Sequence, residues 1–333
     1  AGLLEEADAS TGRFSHALVR ASLLEEMSTR KQLRLHAAIV DAIEEIHAGH
    51  LDRHLTQLAR HATEAAATGD VDKAIHYSRL AAAAAADSAA WADCVLHLRQ
   101  VVDLLEDEGA ADGESYAEVL TRLGAALGHV QDPSADEVTL EAARLARAAG
   151  RGDLVIESAI AFGREVPSRS GEDPATLRAQ VGLLEEALTT IGPHDSSERA
   201  LLLINLAGTR QFEGWKQRCD LVDDAVAMAR RCCSRRQLVR IVSQASWLLG
   251  GSGRDPLALP TEAASLFDDL DRSERSASWA HYALANFQLA SGDLVNAERS
   301  LERQGELVAQ ASGPLYQAWQ AVAEIGLATA QGR

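Results

Sequence analysis

Two stretches far apart in the chain are built alike. "GDVDKA" at 69–74 and "GDLVNA" at 292–297 both open on Gly-Asp and place an alanine five residues after the glycine. Glycine favours the left-handed turn that ends one helix, and aspartate caps the start of the next. A short side chain one turn into the new helix lets a neighbouring backbone come close. The first copy continues into six consecutive alanines, 81–86. A chain that repeats this unit is limited to helices joined by tight turns.

The remaining punctuation agrees. Breakers recur at 106–114, 131–136, 149–153, 165–174, 191–197, 212–215 and 250–256. The stretches between them have ordinary helix lengths, roughly 12 to 20 residues. Helices are expected at 28–47, with Leu35, Ile39, Ala42 and Ile46 on one stripe, then at 51–67, 71–86 and 87–106. Only residues 3–6 and 13–16, around a polar turn, suggest strands, as a small hairpin.

Trp215, Trp247 and Trp279 are spaced by 32 residues, and Trp319 follows 40 later. A loose period of about 32 to 45 residues is that of two-helix repeats. The expected fold is all-α, a solenoid of helix pairs. In such a stack one helix of each pair is sandwiched and the other is wet on one side. "SASWAHYALANFQLA" (276–290) is apolar nearly all round, as a sandwiched helix should be. "LVNAERSLERQGELV" (294–308) is one-sided, with Leu294, Ala297, Leu301 and Val308 on one face.

Composition narrows the function. Hydrophobic residues make up 47% but aromatics 4%, so Ala and Leu carry the core. A net charge of −17 opposes phosphate backbones, so nucleic-acid binding by this segment is not expected. No apolar run approaches the roughly 20 residues of a membrane span. Four scattered cysteines (Cys94, Cys219, Cys232, Cys233) suit reduced cytosolic thiols better than a disulfide framework. The chain begins at Ala1 with no leader pattern, and a fragment of a longer protein is expected.

His47, His50, His54 and His61 form a tempting cluster, but HExxH spacing is missing and Gly49 breaks the helix, so no metal is assigned. "GGSGRDP" (250–256) lacks the Lys-Ser/Thr of a phosphate loop and reads as a connection between helices. No nucleophile elbow or carboxylate pair assembles, so no catalytic residue is assigned and no enzyme is expected. Nine of the fourteen aromatics lie after residue 210. Trp215, Trp247, Trp279, Tyr282, Asn286, Tyr316 and Trp319 are therefore the candidate ligand-binding residues. Periodic tryptophans also serve as joints between repeats, and both readings stand at this stage.

Two segments carry a family resemblance. "GRFSHALVR" (12–20), with Phe14, His16, Ala17, Leu18, Val19 and Arg20, resembles the end of the winged-helix segment of bacterial STAND-type ATPase regulators. "LARHATEAAATGDVDKAIHYSRLAAAAA" (58–85) is similar to the tetratricopeptide-like repeats that follow it, in LuxR-type regulators related to the maltose-regulon activator. The resemblance implies a winged-helix remnant over 1–30 and a repeat domain over 31–333, wound as a right-handed superhelix. It implies a cytoplasmic sensor arm that controls an ATP-dependent module upstream, with ATP bound there and no cofactor in this segment. The implied partners are an effector, small molecule or protein, and the ATPase module of the same chain, with homo-oligomerisation left open. The alternatives are the regulatory arm of a class III nucleotide cyclase, or a stand-alone protein-interaction scaffold.

Overall fold

The computed structural model describes residues 4–6, 12–14, 27–67, 70–111, 113–162, 174–209, 214–270, 280–308 and 314–332. It is all-helical apart from a two-stranded hairpin. In the hairpin, β1 (Leu4–Glu6) pairs antiparallel with β2 (Gly12–Phe14), Leu4 opposite Phe14. β1 falls within the expected 3–6, and β2 begins one residue before the expected 13–16, whose last two residues lie outside the described residues.

The chain divides into two compact units, Ala1–Ala111 and Asp112–Arg333. The first holds α1 (Thr29–Ile46), a 3-10 turn (Leu51–His54), α2 (Leu55–Ala65), α3 (Val71–Asp87) and α4 (Trp91–Asp107). Each helix packs on its neighbours in sequence. The core between α1, α2 and α3 is made of Val40, Leu58, Ala59, Ala62, Ala74, Tyr77 and Ala81. Asp70 caps α3, its carboxylate accepting from the Lys73 amide at 3.1 Å. Of the six alanines, Ala81, Ala82 and Ala85 are buried while Ala83 and Ala84 face solvent. The run therefore supplies one packing face.

The α1 stripe differs from expectation. Leu35 and Ile46 are exposed, at 40% and 74%. The covered face is Val40 with the half-buried Leu33, His36, Ala37, Ile43, Glu44 and His47. Glu44 tolerates this position because Tyr77 and Lys73 of α3 donate to its carboxylate at 2.5 and 2.9 Å.

The second unit holds eleven helices among the described residues: α5 (Glu114–Val130), α6 (Ala135–Ala148), α7 (Gly152–Ala161), α8 (Pro174–Ile191), α9 (Ser197–Thr209), α10 (Trp215–Cys232), α11 (Arg235–Leu248), α12 (Ala258–Asp268), α13 (Ala280–Ala290), α14 (Leu294–Val308) and α15 (Pro314–Ala330). Consecutive helices pack on each other, and a second pattern overlies this one. α5 packs on α7, α7 on α9, α9 on α11, α11 on α13 and α13 on α15. The odd-numbered helices therefore form a continuous apolar row. α9 is nearly all buried, from Ala200 through Ala207.

The even-numbered helices are tied instead by ion pairs. Arg147 of α6 reaches Glu186 of α8 at 2.7 Å. Arg230 of α10 reaches Glu262 of α12 at 2.6 Å, and Asp268 of α12 meets Arg303 of α14 at 3.2 Å. These pairs are solvent-exposed and each adds little stability, but they fix which helices face each other. The capping Asp and the buried Ala recur in both copies, while Gly69 lies outside the described residues. Gly292 has φ +81°, Asp293 caps α14, and Ala297 is fully buried, as is Ala74 in the first copy. No helix among the described residues is long and apolar enough to cross a membrane.

Candidate ligand site

The aromatic residues of α11, α13 and α15 meet within the second unit. Tyr282 lies between Trp247 and Trp319, with ring centroids 5.9 Å from each. Trp247 also contacts Phe287, 5.5 Å between centroids. Tyr282 is buried in a small core with Ala285, Ala297, Leu301, Ala323 and Leu327, against which Trp247 and Trp319 pack. Burial pushes the Tyr282 phenol above its ordinary pKa. Asn286 turns back on its own helix, its amide donating to the Tyr282 carbonyl at 2.8 Å. The indole Nε1 of Trp247 is buried and has no acceptor among the described residues.

Beside this cluster lies a cavity of about 360 Å³. α10, α11, the 250–256 loop, the start of α12 and Phe287 line it, and it opens to solvent on one side. Val226, Leu249, Leu259, Pro260 and Phe287 give apolar walls, and Ser246, Ser252, Arg230 and Arg254 bring polar groups to it. This mix of apolar walls and a few polar groups is that of a small-molecule site, and the volume lies in the same range.

The loop is shaped by its own sequence. Gly251 and Gly253 sit at φ +84° and +76°, where a side chain would be strained. Asp255 accepts from the Leu257 amide at 2.9 Å, a local turn just before α12. Arg254 then clamps the loop to α10 through two bonds to Asp223, at 2.6 and 2.8 Å. That contact holds the Asp223 carboxyl below its usual range and raises the Arg254 guanidinium.

A second, more open groove of about 440 Å³ runs along α12, α13 and α14. Asp268 is its centre. It meets His281 at 3.2 Å and Arg303 at 3.2 and 3.3 Å, while Phe267 stands edge-on to the His281 ring.

Of the sequence candidates, Trp247, Tyr282, Asn286 and Trp319 come together. Trp215 is 43% exposed and carries the Arg218 guanidinium 5.1 Å from its ring. Trp279 lies outside the described residues, as does the Tyr316 side chain. Phe287, Arg254 and Asp223 were not singled out from the sequence. The Gly-rich connection with its Arg-Asp pair was the available signal, since glycines at positive φ bring a loop close to its neighbours. Among the described residues no group of three or more His, Cys, Asp or Glu converges as metal ligands. No family model matches this chain, and neither does any curated protein sequence.

Proposed function

We propose that this chain is a non-enzymatic, ligand-sensing arm built as a right-handed, tetratricopeptide-like solenoid, and that its effector occupies the cavity beside Phe287. The odd-numbered row of apolar helices, with ion pairs tying the even row, supports the solenoid reading for the second unit. The observation that carries the ligand reading is the shared wall. Phe287 lines the cavity and contacts Trp247, which leads through Tyr282 to Trp319. A molecule in the cavity therefore acts directly on the side chains joining three successive odd-numbered helices. Binding that favours one packing of this joint shifts the population of the whole row.

The resemblance of 12–20 and 58–85 to STAND-type regulators supports reading this chain as an arm that would lie next to a cytoplasmic ATPase module and control its ATP-dependent self-association. On this reading the segment itself neither hydrolyses ATP nor binds DNA. Its net charge of −17 opposes both phosphate ligands.

The test uses anilinonaphthalene sulfonate, a planar apolar anion that fluoresces on leaving water. The chain should bind it at one site with energy transfer from tryptophan. Ala258→Trp, at an exposed position on the cavity rim, should weaken binding at least about tenfold with melting unchanged. Equal binding by both proteins would place the dye elsewhere and remove the support for this site.

A further inference from the structure

The seam between α1 and α2 in the first unit carries histidines in facing pairs. His36 and His61 bring their Nδ1 atoms to 3.4 Å, with rings edge-on at 64° and centroids 4.9 Å apart. The second pair, His47 and His54, is different. Its rings stack at 4.0 Å and 23°, so the ring faces meet rather than the nitrogens. His54 also turns its Nδ1 towards Gln57 at 3.2 Å.

We propose that His36 and His61 form a divalent transition-metal site, best suited to zinc. Two imidazole nitrogens bound to one tetrahedral zinc at about 2.0–2.1 Å must lie about 3.3–3.4 Å apart, by the geometry of the tetrahedron. The observed separation is already that bite, and it spans two different helices. Both residues are half-buried, so the pair is not sealed from solvent. With two protein ligands the site has one fewer than the three that open zinc sites keep, so water must fill two positions and binding is correspondingly weak. Neutral imidazole nitrogens are ordinary ligands for zinc, nickel and copper.

The pair as it stands can share only one proton between its two Nδ1 atoms, on whichever ring is the donor. Binding a metal at both Nδ1 atoms requires the donor ring to carry its proton on Nε2 instead, a tautomer exchange through solvent with no net proton release from the neutral pair. The chain's net charge of −17 adds a general attraction for cations. Because the ligands sit on α1 and α2, bound metal would link these helices and stabilise the first unit by mass action.

The experiment is calorimetric titration of the tag-free chain with zinc chloride. One zinc per chain is expected, together with a rise in melting temperature. His36→Ala should weaken that binding at least about tenfold, a factor worth 1.4 kcal/mol. His61→Gln keeps a polar side chain of similar length but removes the ring nitrogen, so it should do the same with the helical signal intact. The double variant His47→Ala, His54→Ala should retain the site. Absence of saturable zinc uptake would overturn the proposal. So would uptake that survives His61→Gln, or that is lost in the His47/His54 variant.

Discussion

The ring centroid of Phe287 lies 5.5 Å from that of Trp247, and Phe287 also forms part of the wall of the 360 Å³ cavity. One side chain is thus shared by the helix joint and the candidate ligand site. The tryptophans around it are not equivalent, and their differences can be measured.

Trp247→Ala and Trp319→Ala each remove a half-buried ring that packs against the α13–α15 core. Each should cost about 2–4 kcal/mol, somewhat below a full large-to-small core change. Trp215 is exposed and has only a guanidinium over its ring, so Trp215→Ala should cost under about 1 kcal/mol. Urea unfolding of the three variants checks this. Equal losses would mean that Trp215 is as tightly packed as the others.

The Glu44 carboxylate gives the first unit a pH dependence. Burial pushes Glu44 up, but bonds from Tyr77 and Lys73 outweigh it and hold the group below its ordinary pKa. A lowered carboxylate stabilises the fold above the unfolded pKa, and that share is lost as pH falls through the folded value. Tyr77 acts at the other end. Burial, then the bond to Glu44, raises it to about 12. Its share is complete below the unfolded value near pH 10 and is lost as pH rises towards about 12. Tyr77→Phe should cost about 1–2 kcal/mol at pH 7 and flatten the alkaline loss. Stability curves from pH 3 to 11 decide the matter, and an unchanged alkaline limb in Tyr77→Phe would contradict the assignment.

The two Gly-Asp turns should respond alike to loss of the cap. Asp70→Ala and Asp293→Ala each free a helix-start amide, at a cost of about 1 kcal/mol. Gly292→Ala should cost about 1–2 kcal/mol, because φ is +81° there. Thermal melts of the three variants test it. A neutral Asp293→Ala would mean that the second turn only looks like the first.

These turns were legible because their chemistry is local. Asp70, Ala74, Asp293 and Ala297 do their work within one helical turn, and their residue types announce it. The α1 face was not legible for the opposite reason. A hydropathy stripe favours Leu35, Ile39, Ala42 and Ile46, whereas the covered face includes His36 and Glu44. Those polar groups are acceptable only because α2 and α3 bring His61, Tyr77 and Lys73 to them. The cavity was hidden in the same way. It is lined by the Arg254–Asp223 pair and by Phe287 arriving from α13, and no single stretch of sequence contains that arrangement.

A close helix approach at Gly124 in the second unit offers a sharp test of packing. A methyl group on Gly124 of α5 would lie 2.4 Å from Thr139 Oγ1 and 3.2 Å from the Thr139 Cα of α6. Thr139 is buried, so neither helix can yield without moving backbone. Alanine is the better helix former by about 1 kcal/mol, so propensity alone predicts that Gly124→Ala stabilises. The clash should win and give a net loss of about 1–3 kcal/mol. Gly128, one turn later on the same helix, is the control. A methyl there meets nothing within 4 Å, so Gly128→Ala should stabilise by about 0.5–1 kcal/mol. Thr139→Ala removes the nearer obstacle, and its combination with Gly124→Ala should recover part of the loss as a measurable coupling. If Gly124→Ala and Gly128→Ala shift the unfolding midpoint in the same direction, then α5 and α6 do not approach as closely as described.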